Sequence, residues 1–427
     1  MAVLCVVAIT SLAGCGGSSN SNSSGRGGNG GGSPTTVTYT FTGATPTTVA
    51  TQIGAGSYTA ATLQSGKLTL SIPSGTTDYA VAFLCPPTNV ALPTNWSQEN
   101  VLLRSTQDGA SFTENCLSPA SPDMGLATVQ VDASAIPGAS YVSVLESGYA
   151  LNQVWSGSAL TLSGSMVAGT YDVFVVVYDS TGQYPLAVRI LRSQTIPGAL
   201  NGGSPVVFGA SDQTTKQTIA YDNIPPGSSP LQVPYVTFYT SGGQGLLLEG
   251  AFAFPEAQYP AMPAGAVQNG DYYTFMSSTS GGAGHPVAAE LATSTGGPQT
   301  LTYPSPWTYS GPSATALPTF NFSYAGFSGM QSVVEIATLQ WILGATLTDP
   351  EGTSFSSITV SATENYQNGA TSFTIPNLAG LTGFLPSPPS GTSVNWIAGI
   401  SQGTAFQTTP PNGLVQTVES DGEYTVP

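Results

Sequence analysis

Residues 166–179 read MVAGTYDVFVVVYD, a glycine followed by an almost unbroken run of β-branched and aromatic residues. Such a run, bounded by turn-forming and polar residues, is typical of a buried β-strand. Similar stretches recur about 90–125 residues apart, namely IPSGTTDYAVAFLC (72–85), AVQNGDYYTFMSST (266–279) and PSGTSVNWIAGIS (389–401). Because that spacing is the size of one β-sandwich, the repeat predicts four such domains, at 35–122, 123–230, 231–326 and 327–427.

Shorter segments alternate apolar and polar residues with a period of two, as half-buried antiparallel strands do. They are TVTYTFT (36–42), KLTLSI (67–72), TVQVD (128–132), YVSVL (141–145), YVTFY (235–239) and ITVSA (358–362). Residues 330–347 fit both a helix and a strand, and their Val and Ile content favours the strand. We therefore expect an all-β fold of tandem antiparallel β-sandwich domains.

One strand carries a family resemblance. Residues 169–175 (GTYDVFV) resemble the Gly-x-Tyr-x-Val-x-Val strand of immunoglobulin-like and prealbumin-like bacterial surface domains. The resemblance implies an immunoglobulin-like architecture for the sandwiches. It implies no activity, because one fold hosts many functions.

The charge balance excludes two classes of partner. The chain of 427 residues holds 6 Lys and Arg against 22 Asp and Glu, giving a formal net charge of −16. Nucleic-acid binding requires basic side chains that neutralise phosphates, and basic attachment to anionic lipid requires the same. We therefore expect neither. An acidic surface rich in Ser and Thr fits an extracellular protein that net repulsion keeps soluble.

The N-terminus contains a processing signal. An apolar run, AVLCVVAI (2–9), precedes Leu12-Ala13-Gly14-Cys15, which resembles the lipobox of bacterial lipoproteins. The resemblance implies a signal peptide over 1–14, cleavage before Cys15, and lipidation of Cys15 by a diacylglycerol thioether and an amide-linked acyl chain. A basic n-region is absent, because Ala2 follows Met1 directly. One interpretation places the natural start upstream, and the alternative is an ordinary secretory signal with a chance cysteine.

A tether follows the lipobox, so that residues 15–34 comprise the lipidated cysteine and a flexible linker. Residues 16–33 read GGSSNSNSSGRGGNGGGS, a composition that buries nothing and spans about 20–25 Å as a coil. In lipoproteins an Asp after the cysteine often causes retention at the inner membrane. Gly16 occupies that position here, which implies the outer membrane. The expected location is therefore a lipid anchor in the bacterial outer membrane, facing the periplasm or the exterior.

Two cysteines remain in the mature region. Cys5 leaves with the signal and Cys15 is acylated, which leaves Cys85 and Cys116. They form either a disulfide or a metal pair. No His lies nearby and there is no CxxC motif, so the disulfide is favoured, as expected in an oxidising compartment. It would close a loop of about 30 residues and contribute about 3–4 kcal/mol.

Residues with catalytic potential are few. The one histidine, His285, lies in a glycine-rich GGAGHP segment, where it would serve a Ser-His-Asp triad or be an inert loop residue. A glycosidase needs only two carboxylates, so that chemistry stays open. Calcium would need clustered oxygens, and the nearest acid pairs are Asp349 with Glu351 and Asp421 with Glu423, which also read as solvated turn acids. We expect no cofactor and no metal.

The best candidate for ligand binding is aromatic. Tyr303-Pro-Ser-Pro-Trp307-Thr-Tyr309 places three rings in a proline-rich segment. The rings of Tyr303, Trp307 and Tyr309 either stack on a sugar or another apolar face, or pack against a sandwich edge. Trp341 and Trp396 lie within apolar strand patterns and are predicted to be core residues.

Together these features predict a cell-envelope lipoprotein that acts as a non-enzymatic, surface-exposed binding or structural module, adhesin-like in kind. Its expected partners are the membrane, through the lipid anchor, and a glycan or a surface protein. Two alternatives remain. One is polysaccharide binding through the loop aromatics, and the other is a cell-envelope glycoside hydrolase that uses two carboxylates.

Overall fold

The computed structural model describes residues 33–88, 95–116, 123–146, 148–228, 235–248, 252–253, 256–279, 286–327, 333–343, 354–403 and 410–427. Within these ranges the chain is almost entirely β-structure. The prediction of an all-β protein built from tandem antiparallel β-sandwiches is confirmed. None of the helices in these ranges is long and apolar enough to cross a membrane.

The strands are β1 (Thr35–Gly43), β2 (Thr48–Ile53), β3 (Thr59–Ala60), β4 (Lys67–Ile72), β5 (Asp78–Thr88), β6 (Asn95–Ser105), β7 (Ser111–Cys116), β8 (Met124–Asp132), β9 (Tyr141–Glu146), β10 (Tyr149–Val154), β11 (Leu160–Val167), β12 (Gly169–Tyr178), β13 (Pro185–Ile196), β14 (Gly198–Ala199), β15 (Val206–Val207), β16 (Thr215–Asp222), β17 (Tyr235–Tyr239), β18 (Gly245–Leu247), β19 (Phe252–Ala253), β20 (Glu256–Ala261), β21 (Tyr272–Thr279), β22 (Val287–Thr293), β23 (Gln299–Thr302), β24 (Thr319–Asn321), β25 (Val333–Leu343), β26 (Ser354–Thr363), β27 (Ser372–Thr374), β28 (Ser393–Gly403) and β29 (Gly413–Thr425). The helical elements are short: 3₁₀ turns at Thr106–Asp108, Leu200–Gly203 and Ala210–Asp212, and one α-helical turn, α1 (Glu364–Gln367).

The period-two patterns form strands as predicted. In β4 the apolar residues Leu68, Leu70 and Ile72 are buried, and the polar residues between them are exposed. The segment that fits both helix and strand contains β25, which confirms the preference for a strand. β25 pairs with β26 on one side and with β28 on the other, so both neighbours satisfy its backbone hydrogen bonds. Its Val and Ile residues also favour a strand over a helix.

The described chain forms two compact units. Unit 1 takes its residues from 1–119, 307–407 and 417–427, and unit 2 takes its residues from 120–306 and 408–416. Both are discontinuous in sequence. The division into four sandwich domains stays a prediction, and strand pairing crosses two of its boundaries. β16 pairs with β20 and β23, which lie beyond the predicted boundary at 230, and β24 pairs with β27 across the predicted boundary at 326.

Unit 1 begins as a sandwich of two sheets. The strands β4, β1 and β7 form one sheet, and β6, β5, β2 and β3 belong to the other. Side chains from both sheets make one core that contains Val37, Tyr39, Leu70, Phe83 and Phe112. The second sheet continues from β6 to β26 through a parallel pair that aligns Val101 with Val360. The first and last predicted domains therefore share a sheet.

Unit 2 contains two layered cores. The sheet β10-β9-β12-β13 packs on β11-β8-β14 through buried residues that include Val142, Val144, Val175 and Val177. The sheet β19-β20-β16-β23 and the strands β18, β17, β21 and β22 form the remainder. The rings of Tyr259 and Phe275 meet edge to face there, with centroids 5.0 Å apart. The strand that carries the Gly-x-Tyr-x-Val-x-Val motif is β12, at the centre of the first core.

Candidate functional site

The two cysteines of the mature region form a disulfide, which confirms that prediction. Cys85 in β5 and Cys116 in β7 are joined with a Cα–Cα distance of 5.3 Å. Both residues are buried in the core between the two sheets of unit 1. Cys15, the predicted lipidation site, lies outside the described residues.

Removing the disulfide should destabilise unit 1. The bond closes a loop with a sequence separation of 31 residues, so the double variant Cys85→Ala/Cys116→Ala should lose about 3–4 kcal/mol through the greater entropy of its unfolded chain. Urea unfolding of the variant measures this loss, with wild type in reductant as the matched comparison. Free thiols at both positions in wild type isolated without reductant would contradict the assignment.

The rings of the proline-rich aromatic segment pack against neighbouring residues and are not exposed on the surface. Tyr303 is completely buried in unit 2, where its hydroxyl donates a hydrogen bond to Ser277 Oγ at 2.6 Å. Its ring stacks on Tyr221 with a centroid separation of 6.1 Å. Tyr303 therefore belongs to the core, and the expectation that it contributes to an exposed ring platform is wrong.

Trp307 and Tyr309 pack within unit 1. Trp307 is 3% exposed and donates from Nε1 to the Ser323 carbonyl at 3.3 Å. Tyr309 is half-buried, with its ring 4.5 Å from Trp307 and 5.4 Å, edge to face, from Trp396. The ring-packing alternative therefore describes this segment, because prolines hold the rings against neighbouring aromatics instead of in solvent. Trp341 and Trp396 are buried, as predicted.

The other candidate residues give no catalytic or metal site in the described ranges. His285, Asp349 and Glu351 lie outside them. Asp421 and Glu423 are exposed, and Glu423 accepts a hydrogen bond from the Ser393 hydroxyl. Among the described residues, no three His, Cys, Asp or Glu side chains come together in an arrangement that could hold a metal ion.

A cleft in unit 2 is the best candidate site. It has a volume of about 290 Å³ and lies among the β9–β10 hairpin, the β12–β13 turn and the edge strand β18. Its polar and aromatic lining residues are Glu146, Tyr149, Tyr178 and Gln183. The other lining residues are leucines and glycines, so the cleft combines aromatic rings and one amide with an apolar lining.

Local sequence builds the mouth of this cleft. The β9–β10 register places Glu146 opposite Tyr149, so the two side chains share a face at the end of the hairpin. Gly148 follows in the left-handed region, with φ of +83°, a conformation that favours glycine. Tyr149 is 36% exposed, so its ring is accessible at the cleft.

Glu146 stands out within the lining. It is 2% exposed, and neither carboxyl oxygen has a hydrogen-bond partner among the described residues. Leaving a buried carboxyl group without a donor carries a large free-energy cost, and folded proteins rarely do so. Its side chain lies on the β9 face of the core residues Val142 and Val144, whereas Tyr178 pairs with Tyr141 on the opposite face.

A stacked tyrosine pair borders the cleft. The rings of Tyr239 and Tyr272 lie 5.0 Å apart with an interplanar angle of 15°. Tyr239 covers the cleft residue Gly245, where an added Cβ would lie 3.0 Å from its ring. Burial raises the pKa of nearby Glu290 to about 7. Burial, together with the charge of Glu290, raises the pKa of Tyr239.

Comparisons with known proteins identify no family. No family model and no curated protein matches the chain. Solved structures that share features with it include the Bacillus anthracis TIE protein (9% identity, 63% of this chain, 50% of that chain, TM-score 0.15). A second is a tetra-tandem repeat in the extending region of a large adhesion protein (11% identity, 92% of this chain, 99% of that chain, TM-score 0.14). A third is the pilus adhesin SpaC from Lactobacillus rhamnosus GG (12% identity, 77% of this chain, 44% of that chain, TM-score 0.12). The chain spans about half the length of the TIE protein. TM-scores this low establish neither a family nor a function.

Proposed function

We propose that the protein is a lipid-anchored lipoprotein of the outer membrane whose β-sandwich region is a non-enzymatic, surface-exposed binding or structural module. The observation that carries the proposal is the order of parts along the chain. A lipobox ending at Cys15 is followed by a Gly/Ser/Asn segment over 16–33 and then by the β-sandwich region. Such an order suits an anchor, a slack tether and a folded module that stands off the membrane.

Two further properties support an envelope location. The disulfide between Cys85 and Cys116 suits an oxidising compartment, since cytosolic proteins rarely keep one. Only 7% of the residues are charged, with a net charge of −16, so the surface presents hydroxyl and amide groups with net repulsion between copies. A module of this kind remains soluble while a local site binds its partner.

The anchor is tested at Cys15. The Cys15→Ser variant should move from the membrane fraction to the soluble fraction and lose labelling by a fatty-acid analogue, because the thioether attachment is gone. Its urea unfolding transition should match wild type, because the tether separates the anchor from the folded region. Unlabelled Cys15→Ser protein that stays in the membrane fraction would refute the lipid anchor.

Polysaccharide binding is the second candidate, and the cleft is a better location for it than the segment at 303–309. The loop aromatics at Tyr303 and Trp307 are buried, whereas the cleft is lined by Tyr149, Tyr178 and Gln183. A glycan array against the soluble fragment tests this candidate. The cleft does not suit the hydrolase alternative, because its described lining includes one acidic residue and glycosidases use two.

A further inference from the structure

Strand β10 (Tyr149–Val154) forms an open edge in unit 2. Among the described residues it pairs with β9 alone, at the end of the sheet β10-β9-β12-β13. Every residue of β10 except Leu151 is exposed, and Val154 is 64% exposed. A strand at the edge of a sheet presents a row of unpaired backbone N–H and C=O groups. A further strand can therefore add to the sheet at β10.

The hydrogen bonds to β9 identify the backbone groups that are open. The Trp155 N–H donates to the Ser140 carbonyl at 2.8 Å and continues the β9–β10 register. Hydrogen-bonded and non-hydrogen-bonded positions alternate along an antiparallel pair, so the odd-numbered residues of β10 bond to β9. The even-numbered residues direct their N–H and C=O groups toward the open edge: Ala150, Asn152 and Val154.

β10 lacks the features that protect edge strands from pairing, which are charged side chains, prolines and bulges. β13, at the opposite edge of the same sheet, carries Arg189 and Arg192, and its pairing with β12 has two register shifts. In unit 1 the edge strand β4 begins with Lys67, and the edge strand β7 contains Glu114. β10 reads YALNQV, without charge or proline, and its register with β9 has no shift. Its edge is therefore suited to pairing.

The charge distribution favours a second copy of the chain as the partner. Each copy carries a net charge of −16, so two copies repel each other wherever acidic surfaces meet. No charged residue occurs between Glu146 and Asp172, a stretch that contains β10 and β11. Two copies can approach at β10 without bringing like charges together. A basic partner would instead be drawn to the acidic parts of the surface.

The sequence of β10 is also compatible with pairing to itself. A two-fold axis perpendicular to the sheet makes two edge strands antiparallel and keeps each face of the joined sheet continuous. With the axis at Asn152, that residue opposes itself, and Ala150 of each copy opposes Val154 of the other. The two Asn152 amides can exchange hydrogen bonds, and the exposed Val154 side chain gains an apolar neighbour.

We propose that two copies of the chain associate through β10, as an antiparallel strand pair centred on Asn152 that joins their two sheets. The inference goes beyond the proposed function and does not depend on the lipid anchor, because the site lies in the folded region. If the partner of β10 is instead a strand from a different protein, the purified chain will be monomeric.

The experiment uses the chain from residue 16 onward, which retains every residue that the structure describes. Sedimentation over a dilution series that starts at about 1 mM measures its dimer. Asn152→Lys and Asn152→Glu each place like charges across the axis, so each variant alone should dimerise about fivefold or more weakly than wild type. Mixed together, the two variants place opposite charges there and should associate more tightly than either variant alone.

The matched control is Thr69, an exposed residue of the edge strand β4 in unit 1. Thr69→Lys and Thr69→Glu change the net charge equally and should dimerise like wild type. The proposal is overturned by a monomer at every concentration or by equal effects at Thr69 and Asn152. It is also overturned if the mixture of Asn152→Lys and Asn152→Glu associates no better than either variant alone.

A cysteine cross-link checks the register. Opposed Cα atoms in a hydrogen-bonded antiparallel pair lie about 5.5 Å apart, which a disulfide can bridge. Asn152→Cys should therefore form a disulfide-linked dimer under mild oxidation, while Thr69→Cys should remain monomeric. Cross-linking at Thr69 equal to that at Asn152 would contradict a pair centred on Asn152.

Discussion

The free energy of unfolding of unit 1 should fall as the pH rises from 5 to 8. Burial raises the pKa of Glu99 and of Glu335 to about 7 each, although Glu99 accepts a hydrogen bond from the Leu385 N–H and Glu335 accepts one from Gln367 Nε2. Both groups ordinarily titrate near 4.5. Between these values the folded state keeps protons that the unfolded chain releases, so stability declines with rising pH.

The sign and window follow from these two pKa values. The stabilisation is fully present below about pH 4.5 and is lost as the pH rises through about 7. Glu99 is 1% exposed and Glu335 is 8% exposed, so solvent screens their buried carboxyl groups little. Each group should contribute a decline on the order of 3 kcal/mol over this window.

Urea unfolding at pH 5, 6, 7 and 8 measures the decline. The variants Glu99→Gln and Glu335→Gln keep a neutral hydrogen-bonding group in place, so each should flatten the pH profile, and the double variant should flatten it further. Glu364→Gln, at an exposed position of unit 1, serves as the control and should retain the wild-type slope. A free energy of unfolding that stays constant or rises between pH 5 and 8 would contradict the raised pKa values of Glu99 and Glu335.

These glutamates also show where sequence reasoning stops. Glu99 lies in β6 between Gln98 and Asn100, a run that reads as a solvent-facing segment, yet it is buried because β26 and β5 flank its strand. The parallel β6–β26 pair joins residues more than 250 positions apart. No local periodicity encodes such a pair, since pairing partners depend on the whole topology.

Local signals predicted local features well. The alternation in β4 predicted which residues are buried, and elimination among four cysteines predicted the disulfide. The segment at 303–309 left two alternatives open from sequence, a ring platform and ring packing, because prolines can hold rings in either setting, and the structure shows packing. The cleft left no signal, because the hairpin, turn and edge strand that form it are far apart in sequence and each has ordinary composition.

Replacing Arg192 should destabilise unit 2 by about 3–5 kcal/mol. Arg192 in β13 donates to Asp172 at 3.1 Å, to Asp271 at 2.6 Å and to the Ala266 carbonyl at 3.0 Å. Burial alone would raise the pKa of Asp172, but hydrogen bonds from the Ser193 N–H, from Thr240 and from Arg192 outweigh it and lower that pKa. Arg192→Met would leave the completely buried Asp271 side chain without its cation, and uncompensated buried charge is strongly destabilising.

The same strand offers a matched control. Arg189 in β13 pairs with Asp212 at 2.9 Å, but its side chain is 40% exposed, so Arg189→Met should cost less than about 1 kcal/mol. Both variants remove one arginine from one strand, so a difference between them reports burial and not net charge. Urea unfolding of the two variants at pH 7 measures that difference. Equal losses would show that Asp271 is relieved by water or by its remaining donors, Ser241 N–H and Gln268 N–H. In that case the buried Arg192–Asp271 ion pair would not contribute more to the stability of unit 2 than the exposed Arg189–Asp212 pair does.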